Sequence, residues 1–244
     1  MIKLNQLSKV YRTQYMETTA LNQIDLHIAK GEFVAVMGPS GCGKSTLLNV
    51  VGMIDSPSSG EYYFDGEEVG HRSENELVNL RKQNIGFIFQ NFNLIDDLSV
   101  QENVDLPLLY LGLGKAERKR RVKEALELVG LESRARHRPL ELSGGQQQRV
   151  AVARSVVGDP KLILADEPTG NLDSKNGDDV MNMLDRLKDK GVTVMMVTHS
   201  PEHGGRADRI IEMLDGKIAG DDPGSRLSVV ADNTPESEHS GTAD

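Results

Sequence analysis

Cysteine is nearly missing from this sequence of 244 residues, since Cys42 is its only one. A single cysteine cannot form an intrachain disulfide, so the class of small disulfide-stapled secreted domains is excluded and a reducing compartment, the cytoplasm, is favoured. The length is sufficient to bury a substantial apolar core without disulfides or metal. We therefore expect one sizeable cytoplasmic domain, with or without a smaller appended subdomain.

Long apolar runs and an excess of positive charge are also lacking. No window approaches the roughly 18 apolar residues of a membrane span, and Met1 to Asn5 lack the basic and apolar regions of a signal peptide. The formal net charge is -9. Proteins that bind nucleic acid usually present a basic face, so we expect a chain that neither spans a membrane nor binds nucleic acid.

The sequence does contain short apolar runs bounded by turn residues, which predict buried strands. These runs are Glu32 to Met37, Ile85 to Phe89, Leu162 to Ala165, Val192 to Thr198 and Ile210 to Met213. Helical patterns lie between several of them, at Lys44 to Met53, Lys115 to Val129, Gly144 to Val157 and Ser174 to Asp189. This alternation predicts an α/β protein with a wound sheet and crossover helices.

The final stretch, 221–244, has a different composition from the rest. It carries six acidic residues against one arginine and is rich in Ser, Pro, Gly and Thr. Such a segment cannot bury enough apolar surface to order itself, so it is predicted to be a disordered tail. A regulatory role and a cloning remnant or clipped linker are equally open interpretations, and no function is assigned to it.

A glycine-rich loop follows the first predicted buried strand and opens a helix, as a phosphate-binding loop requires. Glycines let successive backbone N–H groups face inward, and the helix N-terminus adds positive potential. Lys44 is expected to reach the β- and γ-phosphates of a nucleotide, and Ser45 to bind Mg²⁺. Cys42 is interpreted as a small spacer in the loop. The predicted contacts are Gly38, Ser40, Gly41, Cys42, Gly43, Lys44, Ser45 and Thr46.

Two adjacent acids, Asp166 and Glu167, end another apolar strand. Open α/β sheets bind ligands at the carboxyl ends of their strands. Neighbouring carboxylates repel unless a cation or a reaction uses them. We therefore assign Asp166 to the Mg²⁺ shell and Glu167 to the attacking water, although such a pair taken alone is more often a solvated loop start.

A third motif, Leu142-Ser143-Gly144-Gly145-Gln146, has a helix N-cap followed by paired glycines. With the other two motifs it makes the chain similar to ATP-binding subunits of ABC transporters, over about Met1 to Gly220. The resemblance implies a P-loop NTPase fold: a RecA-like core, an antiparallel β subdomain and a helical subdomain at about 91–157. It also implies a dimer in which Ser143, Gly144, Gly145 and Gln146 of one subunit contact ATP held by the other.

Four further positions match that family and take their roles from the resemblance. Tyr11 would stack on adenine, and Gln90 would contact Mg²⁺ and water. His199 would contact the γ-phosphate and position Glu167. Asp173 would contact the second subunit. Glu167, His199, Lys44 and Gln90 are thus the catalytic candidates, and Ser45, Gln90 and Asp166 the metal-binding ones, so we expect ATP hydrolysis with ATP and Mg²⁺ bound.

Several runs resemble the MacB, LolD and FtsE types in particular, namely Phe89 to Leu94, Leu98 to Val104, Ser143 to Arg149 and Asp166 to Asp173. The resemblance implies a homodimer, or a heterodimer with a similar ATPase subunit, peripheral to the cytoplasmic face of the inner membrane. Its partner would be a permease whose coupling helix docks near Gln90. The apolar segment expected there comprises Phe92, Leu94, Ile95, Leu98, Val104, Leu106, Leu108, Leu109 and Tyr110, although half or more of it is as readily explained by internal packing.

Two other functions stay open at this point. An FtsE-like ATPase would control cell-wall hydrolysis through a membrane partner. A soluble DNA-repair ABC ATPase is disfavoured, because such proteins interrupt the domain with coiled coils or zinc modules, whereas only 99 positions (143 − 44) separate Lys44 from Ser143. The cargo cannot be read from these residues, since in this family substrate contacts belong mainly to the permease.

Overall fold

The computed structural model describes residues 1–223, which form two β-sheets and seven α-helices. The larger sheet has the strand order β10-β9-β3-β8-β7-β6. Five of its strands, β9, β3, β8, β7 and β6, run parallel to one another. Strand β10 pairs antiparallel with β9. In chain order they are β3 (Phe33–Met37), β6 (Ile85–Phe89), β7 (Leu162–Asp166), β8 (Thr193–Val197), β9 (Arg209–Leu214) and β10 (Lys217–Pro223).

The parallel strands are buried on both faces of the sheet, which is why they appear in the sequence as unbroken apolar runs. Successive side chains of β3 enter different cores: Val34 and Val36 join one apolar cluster, while Phe33 and Ala35 join the other. Strand β7 divides in the same way. The sheet therefore forms the middle layer of the domain.

The smaller sheet is antiparallel and covers one of these cores. Its strands are β1 (Ile2–Arg12), β2 (Glu17–Ile28), β4 (Ser59–Phe64) and β5 (Glu67–Glu68), in the order β2-β1-β4-β5. Ile2, Leu4 and Leu7 of β1 are buried against helix α1 (Lys44–Val51) and the central sheet. Alternate residues of β1 remain exposed or half-buried, as expected for a sheet with one solvated face.

The other core is built by helices on the opposite face of the central sheet. Three of them lie between β6 and β7 in the chain: α3 (Val100–Tyr110), α4 (Lys115–Leu128) and α5 (Gly144–Val156). The remaining helices are α2 (Glu74–Asn84), α6 (Ser174–Asp189) and α7 (Pro201–Gly204). Within residues 1–223, none of the helices combines the length and the apolarity needed to cross a membrane.

The predicted α/β class is confirmed, and each predicted strand and helix is present with its ends shifted by no more than two residues. Strand β10, which was not predicted, continues to Pro223, past the predicted domain end at Gly220. It continues because its backbone pairs with β9 and because Arg209 Nε donates to Asp221 Oδ1 at 2.6 Å. The rest of the predicted tail lies outside the described residues.

A buried amide fixes the segment that leads from β6 into α3. The Asn103 side chain is fully buried. Its Oδ1 accepts from the Ile95 N–H at 2.8 Å, and its Nδ2 donates to the carbonyls of Ile95, Leu98 and Ser99 at 3.0, 3.2 and 3.1 Å. One side chain thus replaces the regular backbone pairing that this loop lacks.

Replacing Asn103 with Leu should therefore lower the free energy of unfolding by about 2–4 kcal/mol, because several buried backbone groups lose their partner together. Urea denaturation followed by circular dichroism measures this loss. The matched control is Gln101→Ala on the exposed face of the same helix, which should stay within about 0.5 kcal/mol of the parent. Equal effects of the two substitutions would contradict this role of Asn103.

Candidate functional site

The predicted site residues follow four neighbouring strands of the central sheet. The phosphate-loop candidate follows β3, His199 follows β8, Asp166 and Glu167 end and follow β7, and Gln90 follows β6. These strands are adjacent in the order β3-β8-β7-β6 and run parallel. Their carboxyl ends therefore meet at one edge of the sheet, where open α/β folds bind ligands.

The loop 38–43 links β3 to the first turn of α1. Gly43 precedes the helix with a left-handed φ of 105°, and any Cβ there would collide with the Ala20 carbonyl, so this position requires glycine. Lys44 is only 6% exposed. Its Nζ donates to the carbonyls of Gly38 and Pro39, both at 2.8 Å. The loop therefore wraps around the ammonium group.

The other residues of the loop divide into exposed and buried positions. Ser40, Gly41 and Ser45 are exposed, and Gly43 and Thr46 are half-buried. Cys42 is only 3% exposed, which supports its interpretation as a spacer. The exposed positions leave one side of the loop open to a ligand.

The Ser45 side chain lies across the sheet edge from Asp166, close enough to interact with its carboxylate. Burial raises the pKa of Asp166, and the neighbouring charge of Glu167 raises it further, while the Ser45 hydroxyl lowers it in part. A hydroxyl and a carboxylate in contact are hard oxygen donors of the kind Mg²⁺ prefers. A cation here would also relieve the unfavourable charge on Asp166, so these residues fit Mg²⁺.

Glu167 contacts His199 directly: the distance from His199 Nε2 to Glu167 Oε1 is 2.8 Å. The Glu167 backbone is left-handed, with φ of 44°, and its N–H donates to the Val197 carbonyl at 2.9 Å. A glutamate in this conformation is strained, which is a known feature of functional sites. This backbone turn directs the Glu167 side chain away from the Asp166 side chain and towards His199.

Gln90 lies beside Asn171, a residue to which the sequence assigned no role. Gln90 Nε2 donates to Asn171 Oδ1 at 3.4 Å, and Asn171 Nδ2 donates to the Gln90 carbonyl at 3.1 Å and to Asn91 Oδ1 at 2.9 Å. Phe89, just before Gln90, is paired with Asp166 across the sheet. Gln90 is therefore near the metal-binding candidates, but its side chain is engaged by Asn171.

The structure brings the predicted partner-facing residues Ser143 to Gln146 close to Asp173. Ser143 caps α5, and its Oγ accepts from the Gln146 N–H at 3.3 Å. Asp173 caps α6 and accepts from the Asn176 N–H at 3.0 Å. Any Cβ on Gly145 would clash with the Asn176 side chain, so this close approach of the two helix starts requires glycine.

The phosphate loop and the Ser143 helix start are not joined to each other within residues 1–223. No hydrogen bond or ion pair there links residues 38–46 to residues 143–146. Ser143 and Gly144 are exposed. Both groups are thus free to contact something outside the chain.

Tyr11 lies near the C-terminal end of β1, where it pairs with Thr18 of β2, and it is 41% exposed. Its hydroxyl donates to Asp55 Oδ2 at 2.8 Å and approaches the Thr46 side chain. Tyr11 is thereby connected to helix α1 just beyond the phosphate loop. Its exposed ring is available for stacking.

Two polar residues near the site were missed by the sequence analysis. Gln148 is fully buried, and its Nε2 donates to the Pro168 carbonyl. The sequence does indicate that Gln148 is buried, because it falls on the same face of α5 as the buried residues Gly145 and Val152. His203 Nδ1 lies 2.9 Å from Thr169 Oγ1, and no sequence pattern indicated that contact.

Some apolar residues of the segment after Gln90 are buried in the core, and others are exposed to solvent. Val104 and Leu108 are fully buried, so the packing interpretation holds for them. Ile95, Leu109 and Tyr110 are 46%, 48% and 73% exposed. The other members, Phe92, Leu94, Leu98 and Leu106, are half-buried.

Comparison with known proteins decides the family. A family model described as "ABC transporter" matches residues 21–170, more than half of the chain. The chain belongs to the ABC transporter family. It has the P-loop fold of the ABC ATPases and is the ATP-binding, ATP-hydrolysing domain of such a transporter.

Several relatives cover almost the whole chain. The uncharacterised ABC transporter ATP-binding protein YknY of Bacillus subtilis is 47% identical over 226 residues, 93% of this chain and 98% of that protein. A macrolide export ATP-binding/permease protein, MacB 1/2 of Paracoccus denitrificans, is 48% identical over 91% of this chain. The chain spans only 33% of that MacB protein.

Among solved structures, the ATP-binding cassette MJ0796 is similar to this chain throughout. Its dimeric post-hydrolysis state, bound to ADP and phosphate, has a TM-score of 0.85 and 43% sequence identity. The match covers 91% of this chain and 98% of that one. A sequence identity of 43% shows that the two proteins share a family as well as a fold.

The charge on Asp166 generates a stability prediction. Because the folded-state pKa is raised, the ionised form destabilises the fold above the ordinary aspartate pKa. Asp166→Asn, which keeps a side-chain oxygen beside Ser45, should therefore raise the free energy of unfolding at pH 7. The gain should shrink as the pH falls through the raised folded-state pKa, and it should vanish below the ordinary aspartate pKa, where the side chain is protonated in both states.

The matched control is Glu117, whose pKa is shifted in the opposite direction from that of Asp166. Hydrogen bonds from Arg120 and Arg121 hold the pKa of Glu117 at about 2. Glu117 thus stabilises the fold above the ordinary glutamate pKa and loses that effect as the pH falls, so Glu117→Gln should lower stability slightly at pH 7. Urea unfolding of both variants across pH measures the gain expected for Asp166→Asn and the loss expected for Glu117→Gln. A loss of stability in Asp166→Asn would refute the prediction for Asp166.

Proposed function

We propose that this protein hydrolyses ATP as one half of a nucleotide-sandwich dimer and thereby drives a membrane permease. The observation that carries the proposal is the contact between Glu167 and His199, 2.8 Å apart at the ends of adjacent strands, beside the pair of Ser45 and Asp166. A carboxylate held by an imidazole beside a magnesium-type donor pair is suited to orient water against a phosphate.

The chain's own residues would divide the work by charge and geometry. Lys44 would exchange its bonds to the Gly38 and Pro39 carbonyls for bonds to the β- and γ-phosphate oxygens. Ser45, Asp166 and Gln90 would hold Mg²⁺, which when bound would neutralise charge between the phosphates. Tyr11 would stack on adenine.

The attacking water would be held by Glu167. His199, bonded to that carboxylate, would fix its orientation and contact the γ-phosphate. Such catalysis is mostly positioning and electrostatic stabilisation, since little covalent chemistry is required of the protein. Removing the carboxylate should therefore impair hydrolysis far more than ATP binding.

The second half of each site would come from another copy of the chain. Ser143, Gly144, Gly145 and Gln146 begin α5 with an exposed N-terminus, which favours an anion. Asp173 caps the neighbouring helix start. The dimeric MJ0796 structures support this arrangement. Intact catalytic positions make a homodimer the simpler choice over a heterodimer.

Replacing Glu167 with Gln should lower the rate of phosphate release at least 100-fold, because the group that orients water is lost while the phosphate loop is unchanged. With ATP and Mg²⁺, the variant should elute as a dimer in size-exclusion chromatography. Glu202→Gln, an exposed glutamate on α7, is the matched control and should hydrolyse ATP at the parent rate. Parental turnover by Glu167→Gln would remove Glu167 from this role.

The membrane partner is proposed to dock beside Gln90. Ile95, Leu109 and Tyr110 expose apolar surface there, and MacB relatives carry an ATP-binding part and a permease part under one name. The protein would then act at the cytoplasmic face of the inner membrane, in export, lipoprotein release or mechanical transmission across the membrane. An FtsE-like control of cell-wall hydrolysis would use the same surface.

Tyr110→Ser should weaken co-purification with the proposed permease partner, and it should lower permease-stimulated ATP hydrolysis by about threefold or more. Tyr110 is 73% exposed, so its loss should not disturb the fold. Tyr15→Ser, at the 91% exposed tyrosine of the β1–β2 hairpin, is the control. Equal effects of the two substitutions would argue against docking at this surface.

A further inference from the structure

A charged cluster surrounds Tyr11, and the proposed catalytic cycle makes no use of it. Asp55 lies in the turn between α1 and β4. Its Oδ2 accepts from the Tyr11 hydroxyl at 2.8 Å, and its other oxygen forms an ion pair with Lys9. Lys9 Nζ also donates to the Ser56 carbonyl at 2.8 Å. Residues from β1 and from the turn after α1 are thus tied together.

Lys9 also contacts the tyrosine ring itself. Its Nζ lies 5.0 Å from the centroid of the Tyr11 ring, within the range of a cation–π interaction. The Lys9 side chain is only 12% exposed, which strengthens such a contact by limiting solvent screening. The ammonium covers one face of the ring, so a flat ligand has the opposite face available.

The tyrosine hydroxyl connects this cluster to the phosphate loop. Besides its bond to Asp55, it approaches the side chain of Thr46, the second residue after Lys44. Burial and then the Asp55 carboxylate raise the pKa of Tyr11. Burial alone would raise the pKa of Asp55, but hydrogen bonds from Lys9 and Tyr11 lower it. Asp55 is therefore an ionised acceptor shared by both side chains.

We propose that Asp55 and Lys9 are positioning residues that hold the Tyr11 ring at a fixed orientation and distance from the phosphate loop. The inference rests on the proposed function, in which Tyr11 stacks on the base of ATP. A ring held in place before binding loses less conformational freedom when the base arrives, so more of the stacking energy appears as affinity. The cluster then serves recognition of the nucleoside part of ATP and not phosphate transfer.

A purely structural cluster would behave differently. If the Lys9–Asp55 pair only pinned β1 to the turn after α1, breaking it would weaken every ligand of the site alike. If it positions Tyr11, only ligands with a base should be affected. Inorganic tripolyphosphate has the phosphates of ATP without the nucleoside, so it separates the two cases.

The test uses the full chain and three single substitutions, Asp55→Ala, Lys9→Met and Tyr11→Phe. Each should raise the dissociation constant and the KM for ATP about fivefold, as expected for the loss of one hydrogen-bonded tether, with kcat within about twofold of the parent. Titration calorimetry with tripolyphosphate should give unchanged affinity. The double variant Tyr11→Phe/Asp55→Ala should bind ATP no more weakly than the weaker single variant, because both substitutions break the same hydrogen bond between Tyr11 and Asp55.

The matched control is Lys3→Met, since Lys3 Nζ lies 5.8 Å from the Tyr63 ring centroid in the same sheet. Lys3→Met should change neither the dissociation constant nor the KM for ATP. Unchanged ATP affinity in Asp55→Ala, or equal loss of ATP and tripolyphosphate affinity, would overturn the inference. If the parent bound ATP but did not hydrolyse it, the proposed function would fail while the binding comparison still tested the cluster. A parent that bound no ATP would overturn both.

Discussion

The repulsion between two adjacent carboxylates, Asp166 and Glu167, is the constraint around which this site is organised. Strand β7 delivers both to the same sheet edge, and each is turned to a different partner. Asp166 meets Ser45 from the phosphate loop, and Glu167, through a left-handed backbone, meets His199 from the end of β8. The register of three parallel strands therefore decides which chemistry the pair can support.

The segment between Glu167 and α6 is attached to three different parts of the domain. Gln148 of α5 donates to the Pro168 carbonyl, His203 of α7 contacts Thr169, and Asn171 donates to the Gln90 carbonyl. Each attachment joins a region to which a different partner is assigned: the second subunit, the γ-phosphate and the permease. The segment is thus held at one time by the three regions that those partners would contact.

Sequence reasoning predicted the central sheet well because strands buried on both faces are uniformly apolar. The apolar pattern did not locate β1, β2 and β4, whose alternating residues give shorter apolar signals, or α3, whose interior Pro107 speaks against a helix. The family resemblance nevertheless implied the antiparallel β subdomain to which those strands belong. For the site, glycine and acid spacings identified the phosphate loop and the carboxylates. The partners Asp55, Asn171 and His203 could not be predicted, because each contacts residues at least 34 positions away in the chain.

The enclosure of the chain's single thiol has a practical consequence. Cys42 is 3% exposed, and its Sγ lies 3.9 Å from the Lys44 ammonium inside the phosphate loop. Thiol-directed dyes and spin labels react with accessible cysteines, so a cysteine introduced at exposed Lys175 would be labelled while the native one is shielded. Separations between labels on two copies could then be followed in real time by fluorescence transfer, with the natural phosphate loop intact.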